Sequence, residues 1–321
     1  MEYLYINSSI SNLLRSKERN FLDNKIMVIK IIEILIGLYI AFVIGANDAA
    51  NALGTTVGAK LMSYKRAVLL FGIFVLIGCL NAHNVGHTMS SIVSGDVTLP
   101  LIIAGIIITF LTFKKIPIST HQVIVSALVG LNLNSADLNL FVKIVGSWIV
   151  SPILAGILAY IIYKIFEKLE IPILKRENFL KYGLIFSGGL IAYNLGANDL
   201  PTVLGTVSSE LSIFVVGAIA LWMGALFFGK GVSETVGMKL VELNPLPAFI
   251  AQLSAGLAVF VFTQFGMPVS TTQAIIGGVV GVGLTKGIKT VSWRTLRNVV
   301  LGWISAPTFA LVIGYLIQPH F

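Results

Sequence analysis

The residues best suited to chemistry occur as two nearly identical sets. GANDAANALGT (45–55) and GANDLPTVLGT (196–206) each place an Asn-Asp pair, Asn47–Asp48 and Asn198–Asp199, beside a long apolar run. They share seven of eleven residues at an offset of 151. An isolated charge inside a membrane costs at least ~2.5 kcal/mol, so Asp48 and Asp199 need a compensating partner. A hard cation held by carboxylate, Asn amide oxygen and backbone carbonyls supplies one, the small Gly and Ala residues letting the helix unwind to free those carbonyls. A protonated carboxyl supplies another, which points to proton coupling. An Asp that caps a helix or bonds a neighbouring helix is the purely structural alternative.

The second set is PISTHQVIVSALVG (117–130) and PVSTTQAIIGGVVG (268–281), again 151 residues apart. Pro suits a first helical turn, and Ser or Thr there caps exposed amides. A helix N-terminus carries free N–H groups and partial positive charge, so it attracts anions. Two such termini meeting near the membrane midplane form a donor-rich cage for a tetrahedral oxyanion without Lys or Arg, a geometry that transporters with broken helices use. Plain N-capping is the alternative. His121 stands where the other copy has Thr272, so the half-cages are unequal; His121 is read either as a donor to the anion that makes binding pH-sensitive or as a helix-end polar group facing a cavity. A cation beside an anion cage neutralises the bound anion during crossing, which is a physical basis for symport.

These residues need elements to carry them. The chain is 56% hydrophobic and 11% charged, where a soluble domain has roughly 25% charged residues. This is the composition of an integral membrane protein. Apolar runs at 28–44, 67–80, 99–113, 140–163, 180–195, 211–229, 246–265 and 296–317 approach the ~20 residues a crossing needs. Stretches 116–131 and 267–284 read as half-spanning helices, and the run 28–44 continues past its Asn-Asp pair as a separate segment, 49–58. A single Cys, Cys79, excludes a disulfide framework. The net charge of +8 reflects basic loops between apolar runs rather than nucleic-acid binding. His83 and His87 share a helix face, but no third metal ligand is evident; Glu234 stands at the repeat position of His83. Trp148 and Trp303, 155 apart, read as packing or interfacial residues.

Two unrelated motifs at one offset indicate an internal duplication. We divide the chain into a polar N-terminal segment (1–27), a first transmembrane repeat (28–163), a basic linker (164–179) and a second repeat (180–321). Five crossings per half, counting each Pro-Ser-Thr segment as one, force the second repeat to be inverted. With the linker cytoplasmic, 16 of the 22 basic residues fall on the inner side. The fold expected is therefore an all-α polytopic membrane protein of two inverted-topology repeats with broken helices, in the cell membrane. Met27 is a candidate start residue, the preceding segment being either an upstream extension or a disordered or interfacial tail.

At these motifs the chain resembles the inorganic phosphate transporter (PiT) family, over roughly 30–317. The short central linker is similar to that of prokaryotic phosphate permeases. The resemblance implies a cation-coupled phosphate symporter rather than an enzyme, with Na+ or H+ as the coupling ion, no cofactor and a homodimer as one expected state. It implies phosphate binding by Ser119, Thr120, Gln122, Ser270, Thr271, Thr272 and Gln273, with His121 a departure from the motif. It implies coupling-cation binding by Asn47, Asp48, Asn198 and Asp199, with Asp48 and Asp199 as Na+ ligands. A metal–phosphate complex as cargo stays open. Without the resemblance three readings also stay open: a symporter for another oxyanion such as sulfate, an anion channel, and a membrane enzyme acting on phosphorylated lipid. No GxxxxGK[ST] motif is present, so an ion gradient is the expected energy source.

Overall fold

In lipid every backbone polar group must be satisfied within the protein, so apolar runs of this length become helices. The computed structural model describes the backbone of residues 2–58, 60–113, 118–169, 173–241, 245–287 and 293–318; side chains are described for these apart from 2–21, 173–176, 231–232, 234–241, 295, 298 and 299. In order the helices are α1 (Glu2–Gly58), α2 (Tyr64–Cys79), α3 (His83–Ser91), α4 (Thr98–Phe113), α5 (Thr120–Leu131), α6 (Leu138–Lys168) and α7 (Ile173–Asn194). A π-helical turn (Leu195–Asp199) leads to α8 (Leu200–Leu204), followed by α9 (Leu211–Val241), α10 (Pro245–Gln264), α11 (Thr271–Thr285) and α12 (Trp293–Ile317). Among the described residues there is no β-strand, and five helices are long and apolar enough to cross a membrane. A sixth span forms if α2 and α3, bent by 63° at residues 80–82, count as one.

The half-spanning helices expected from the Pro-Ser-Thr segments are present as α5 and α11. The 12 residues of α5 rise about 18 Å at ~1.5 Å each, well short of a ~30 Å hydrocarbon core. The run 99–113 becomes the 16-residue α4, also short of a crossing.

Two expectations are corrected. The first Asn-Asp motif does not unwind: α1 runs unbroken through residues 45–55. Its polar side chains find partners without opening the backbone, and its glycine face packs closely on α9. The second copy differs because Pro201 replaces Ala50. Proline has no N–H to donate into the helix ladder, and the chain widens there into the π-helical turn 195–199, with the Thr202 hydroxyl donating to the Asn198 carbonyl at 2.7 Å. The other correction concerns proline in the half-helices. Ser270 is the N-cap, extended at φ −82° and ψ 116°, and Pro268 precedes it instead of occupying the first turn. Pro117, its counterpart, lies outside the described residues.

Helices of one half pack against helices of the other. α6 lies along α11, and α12 along α5; α1 lies along α9, and α2 along α7 and the π-turn. Small residues make these approaches possible. A Cβ on Gly281 of α11 would collide with the Gly156 carbonyl of α6, and one on Gly130 of α5 with the Leu311 carbonyl of α12. Gly130 and Gly281 are repeat equivalents, so both half-helices are seated on the last helix of the opposite half by the same device.

Candidate functional site

Each half-helix begins in the same way. The Ser119 hydroxyl accepts from the Gln122 N–H at 3.4 Å, and the Ser270 hydroxyl accepts from the Gln273 N–H at 3.3 Å. N-capping is therefore real at both serines. It leaves each hydroxyl proton free to donate, because the cap uses an oxygen lone pair.

The next residue of each half-helix turns to the aspartate of its own half. Thr120 donates to Asp48 at 3.3 Å and Thr271 donates to Asp199 at 3.1 Å, both 72 residues apart in sequence. The residue after that reaches the aspartate of the other half. Thr272 donates to Asp48 at 3.4 Å, and His121 places Nε2 3.5 Å from an Asp199 oxygen. The circuit Asp48–Thr120–His121–Asp199–Thr271–Thr272–Asp48 therefore closes on itself. All four sequence motifs meet in it, and the N-termini of α5 and α11 converge there.

The cluster is sealed. Asp48 is 3% exposed, Asp199 1% and His121 1%. Three polar atoms in it are buried without a hydrogen-bond partner: His121 Nε2, whose 3.5 Å approach to Asp199 is a contact and not a hydrogen bond, Gln122 Oε1 and Gln273 Oε1. Buried polar atoms are nearly always paired. Two of these three, Gln122 and Gln273, stand at equivalent positions of the repeat.

The asparagines act differently from the aspartates. Asn47 donates to Thr112 and Asn198 donates to Thr263, each across 65 residues. Asn198 also donates to the Met267 carbonyl at 2.9 Å, while its amide oxygen accepts from the Val269 N–H at 3.0 Å. It clamps the segment leading into α11. Trp148 fastens the same segment, its indole N–H donating to the Pro268 carbonyl at 2.9 Å. The repeat-equivalent Trp303 has a buried indole N–H with no partner among the described residues.

Several contributors were not singled out from sequence. Asn51 donates to Thr272 at 2.8 Å and to Asp48 at 3.4 Å. Gln252 on α10 accepts from Thr55 and Ser187 and donates to the carbonyls of Asn51 and Ala52, using all its hydrogen-bonding positions one turn from Asp48. Thr112 and Thr263 obey the offset of 151 and were legible as a third repeated position; Gln252 faces Leu101 in the repeat and left no such signal. His83 and His87 lie adjacent and exposed on α3, ring centroids 6.5 Å apart, away from this cluster. The side chain of Glu234 lies outside the described residues.

A polytopic membrane protein, all-helical among the described residues, in which half-length helices bring buried carboxylates and neutral donors into one closed cluster has the make-up of a transporter. Comparison with known proteins specifies which. The chain belongs to the phosphate transporter family, whose model matches residues 44–314. It is 50% identical over 287 residues to a Methanocaldococcus jannaschii protein named "Putative phosphate permease", covering 89% of this chain and 96% of that one. A Bacillus subtilis protein named "Probable low-affinity inorganic phosphate transporter" is 25% identical over 319 residues, covering 90% and 96%. A solved structure titled "The sodium-dependent phosphate transporter" shares the fold, with a TM-score of 0.81 at 23% identity over 90% of this chain and 98% of that one.

Proposed function

We propose that this protein imports inorganic phosphate by symport with a cation, through alternating access around the closed cluster. The observation that carries the reading is the circuit itself: two buried carboxylates, each bracketed by the first turns of both half-helices. Ser119, Thr120, Gln122, Ser270, Thr271, Thr272 and Gln273, in the first turns of the two half-helices, form the phosphate site in this reading, with His121 at its edge. Asn47, Asp48, Asn198 and Asp199 belong to the cation sites.

Electrostatics ties the two halves of the reading together. Two unit charges 4 Å apart interact by roughly 4 kcal/mol at an effective dielectric of ~20. A phosphate of charge −1 to −2 entering beside two ionised aspartates therefore meets a repulsion of that order from each. A cation at each carboxylate, or a proton on it, cancels the repulsion, so anion and cation bind together. Sodium is the coupling ion we favour. Asp48 is met by the hydroxyls of Thr120 and Thr272, and the structural relative is described as sodium-dependent.

The exchange of helices between halves supports an inverted repeat, since α6 on α11 and α12 on α5 are the same contact with the halves interchanged. The charge bias of the loops supports a cytoplasmic linker. Radiolabelled phosphate uptake into proteoliposomes, with inward sodium and proton gradients imposed separately, tests the reading. Sodium-driven uptake is expected. Proton-driven uptake makes an aspartate the proton carrier, and uptake under neither gradient refutes phosphate symport. Asp48→Asn, with folding intact, is expected to lower gradient-driven uptake at least about tenfold, the loss of roughly 1.4 kcal/mol of coupling.

A further inference from the structure

The two aspartates have equivalent partners by position and unequal partners by chemistry. The own-half residue is threonine in both cases, Thr120 for Asp48 and Thr271 for Asp199. The opposite-half residue is Thr272 at Asp48 and His121 at Asp199. Asp48 is also met by Asn51, whose repeat counterpart Thr202 turns its hydroxyl to the Asn198 carbonyl instead. Asp48 thus has two hydroxyls and the amide nitrogen of Asn51 around it. Asp199 has one hydroxyl and an imidazole, which is 1% exposed, in hydrogen-bond contact with Asn198, and unpartnered at Nε2.

We propose that His121 makes the two cation sites unequal, so that the Asp48 site, with a hydroxyl from each half-helix, takes a sodium ion and the Asp199 site takes no sodium. A small hard cation is held by carboxylate, amide and hydroxyl oxygens, whereas imidazole suits softer metals. The imidazole ring is also larger than the threonine it replaces. His121 is therefore a specificity-determining residue, and it sets the sodium count per phosphate. This inference rests on the assignment of Asp48 and Asp199 as cation sites.

The test is equilibrium binding of radioactive sodium to the purified full chain in detergent, at saturating phosphate. The wild type is expected to bind one ion per chain. His121→Thr, which restores the Thr272 chemistry, is expected to bind two, and His121→Gln, which keeps the bulk but supplies an oxygen, to move in the same direction. The sodium dependence of uptake should steepen in parallel, its Hill coefficient rising from one toward two. Two ions bound by the wild type, or one ion bound by every variant that folds, overturns the proposal while leaving sodium symport standing. No sodium bound by the wild type, with phosphate uptake driven by protons, overturns the sodium-site assignment and this inference with it. The wild-type count decides the matter even if a variant fails to fold.

Discussion

Trp148→Phe isolates one hydrogen bond that holds a half-helix in place. The indole N–H of Trp148, on α6 of the first half, donates to the Pro268 carbonyl at 2.9 Å, two residues before the N-cap of α11. The ring packs edge-on against Phe141, centroids 6.4 Å apart, and phenylalanine retains most of that contact. The substitution leaves a buried carbonyl without its donor. Such a loss costs ~1 kcal/mol for the bond itself and up to ~3 kcal/mol when the abandoned group stays buried. That corresponds to roughly 5- to 150-fold in the population of the ordered segment. Only the ordered segment presents Ser270 to Gln273 correctly, so apparent phosphate affinity falls by up to the same factor. Phosphate-dependent uptake in proteoliposomes at saturating sodium measures it as a raised KM, with size-exclusion profile and helical content as checks on folding. Trp303→Phe is the control. Its N–H has no partner among the described residues, so removing it is expected to change KM by less than about twofold, the loss carrying no bond with it. A well-folded Trp148→Phe protein with unchanged KM, or a Trp303→Phe protein equally impaired, refutes the reasoning.

Three further outcomes are expected. Thr271→Val removes a hydroxyl that bonds a carboxylate at 3.1 Å and should weaken phosphate binding by about 1–3 kcal/mol; isothermal titration showing unchanged affinity removes Thr271 from the site. Gly281→Leu drives a side chain into the Gly156 carbonyl and should abolish uptake by unseating α11, with Gly130→Leu doing the same to α5; normal transport by either variant means the helices are not seated there. Gln252→Leu strands the Thr55 hydroxyl in the core and should lower the thermal midpoint in detergent while raising the sodium needed for half-maximal uptake, because α1 loses its tie one turn from Asp48; a lowered midpoint alone limits Gln252 to a structural role.

The sequence alone determined the membrane setting, the helical class and the repeated motifs from which the candidate site is built. These rest on local properties: a hydrophobic run long enough to cross lipid, a proline that cannot donate, an Asn-Asp pair with no cheap reason to sit in apolar sequence. A motif present twice at one offset also carries its own control, which is why Asp48, Asp199 and both Ser-Thr segments were legible. The tertiary structure decided which groups meet. That α1 stays helical through GANDAANALGT while GANDLPTVLGT opens into a π-turn depended on close packing against α9 and on Pro201, and propensity alone pointed to unwinding in both copies. That Thr120 serves its own half while His121 crosses to Asp199 follows from how α5 and α11 converge, and no periodicity along one chain encodes a contact between two helix ends. Trp148 and Gln252 became positioning residues only when the halves interlocked, because a hydrogen bond across 120 or 201 residues exists only in the assembled fold.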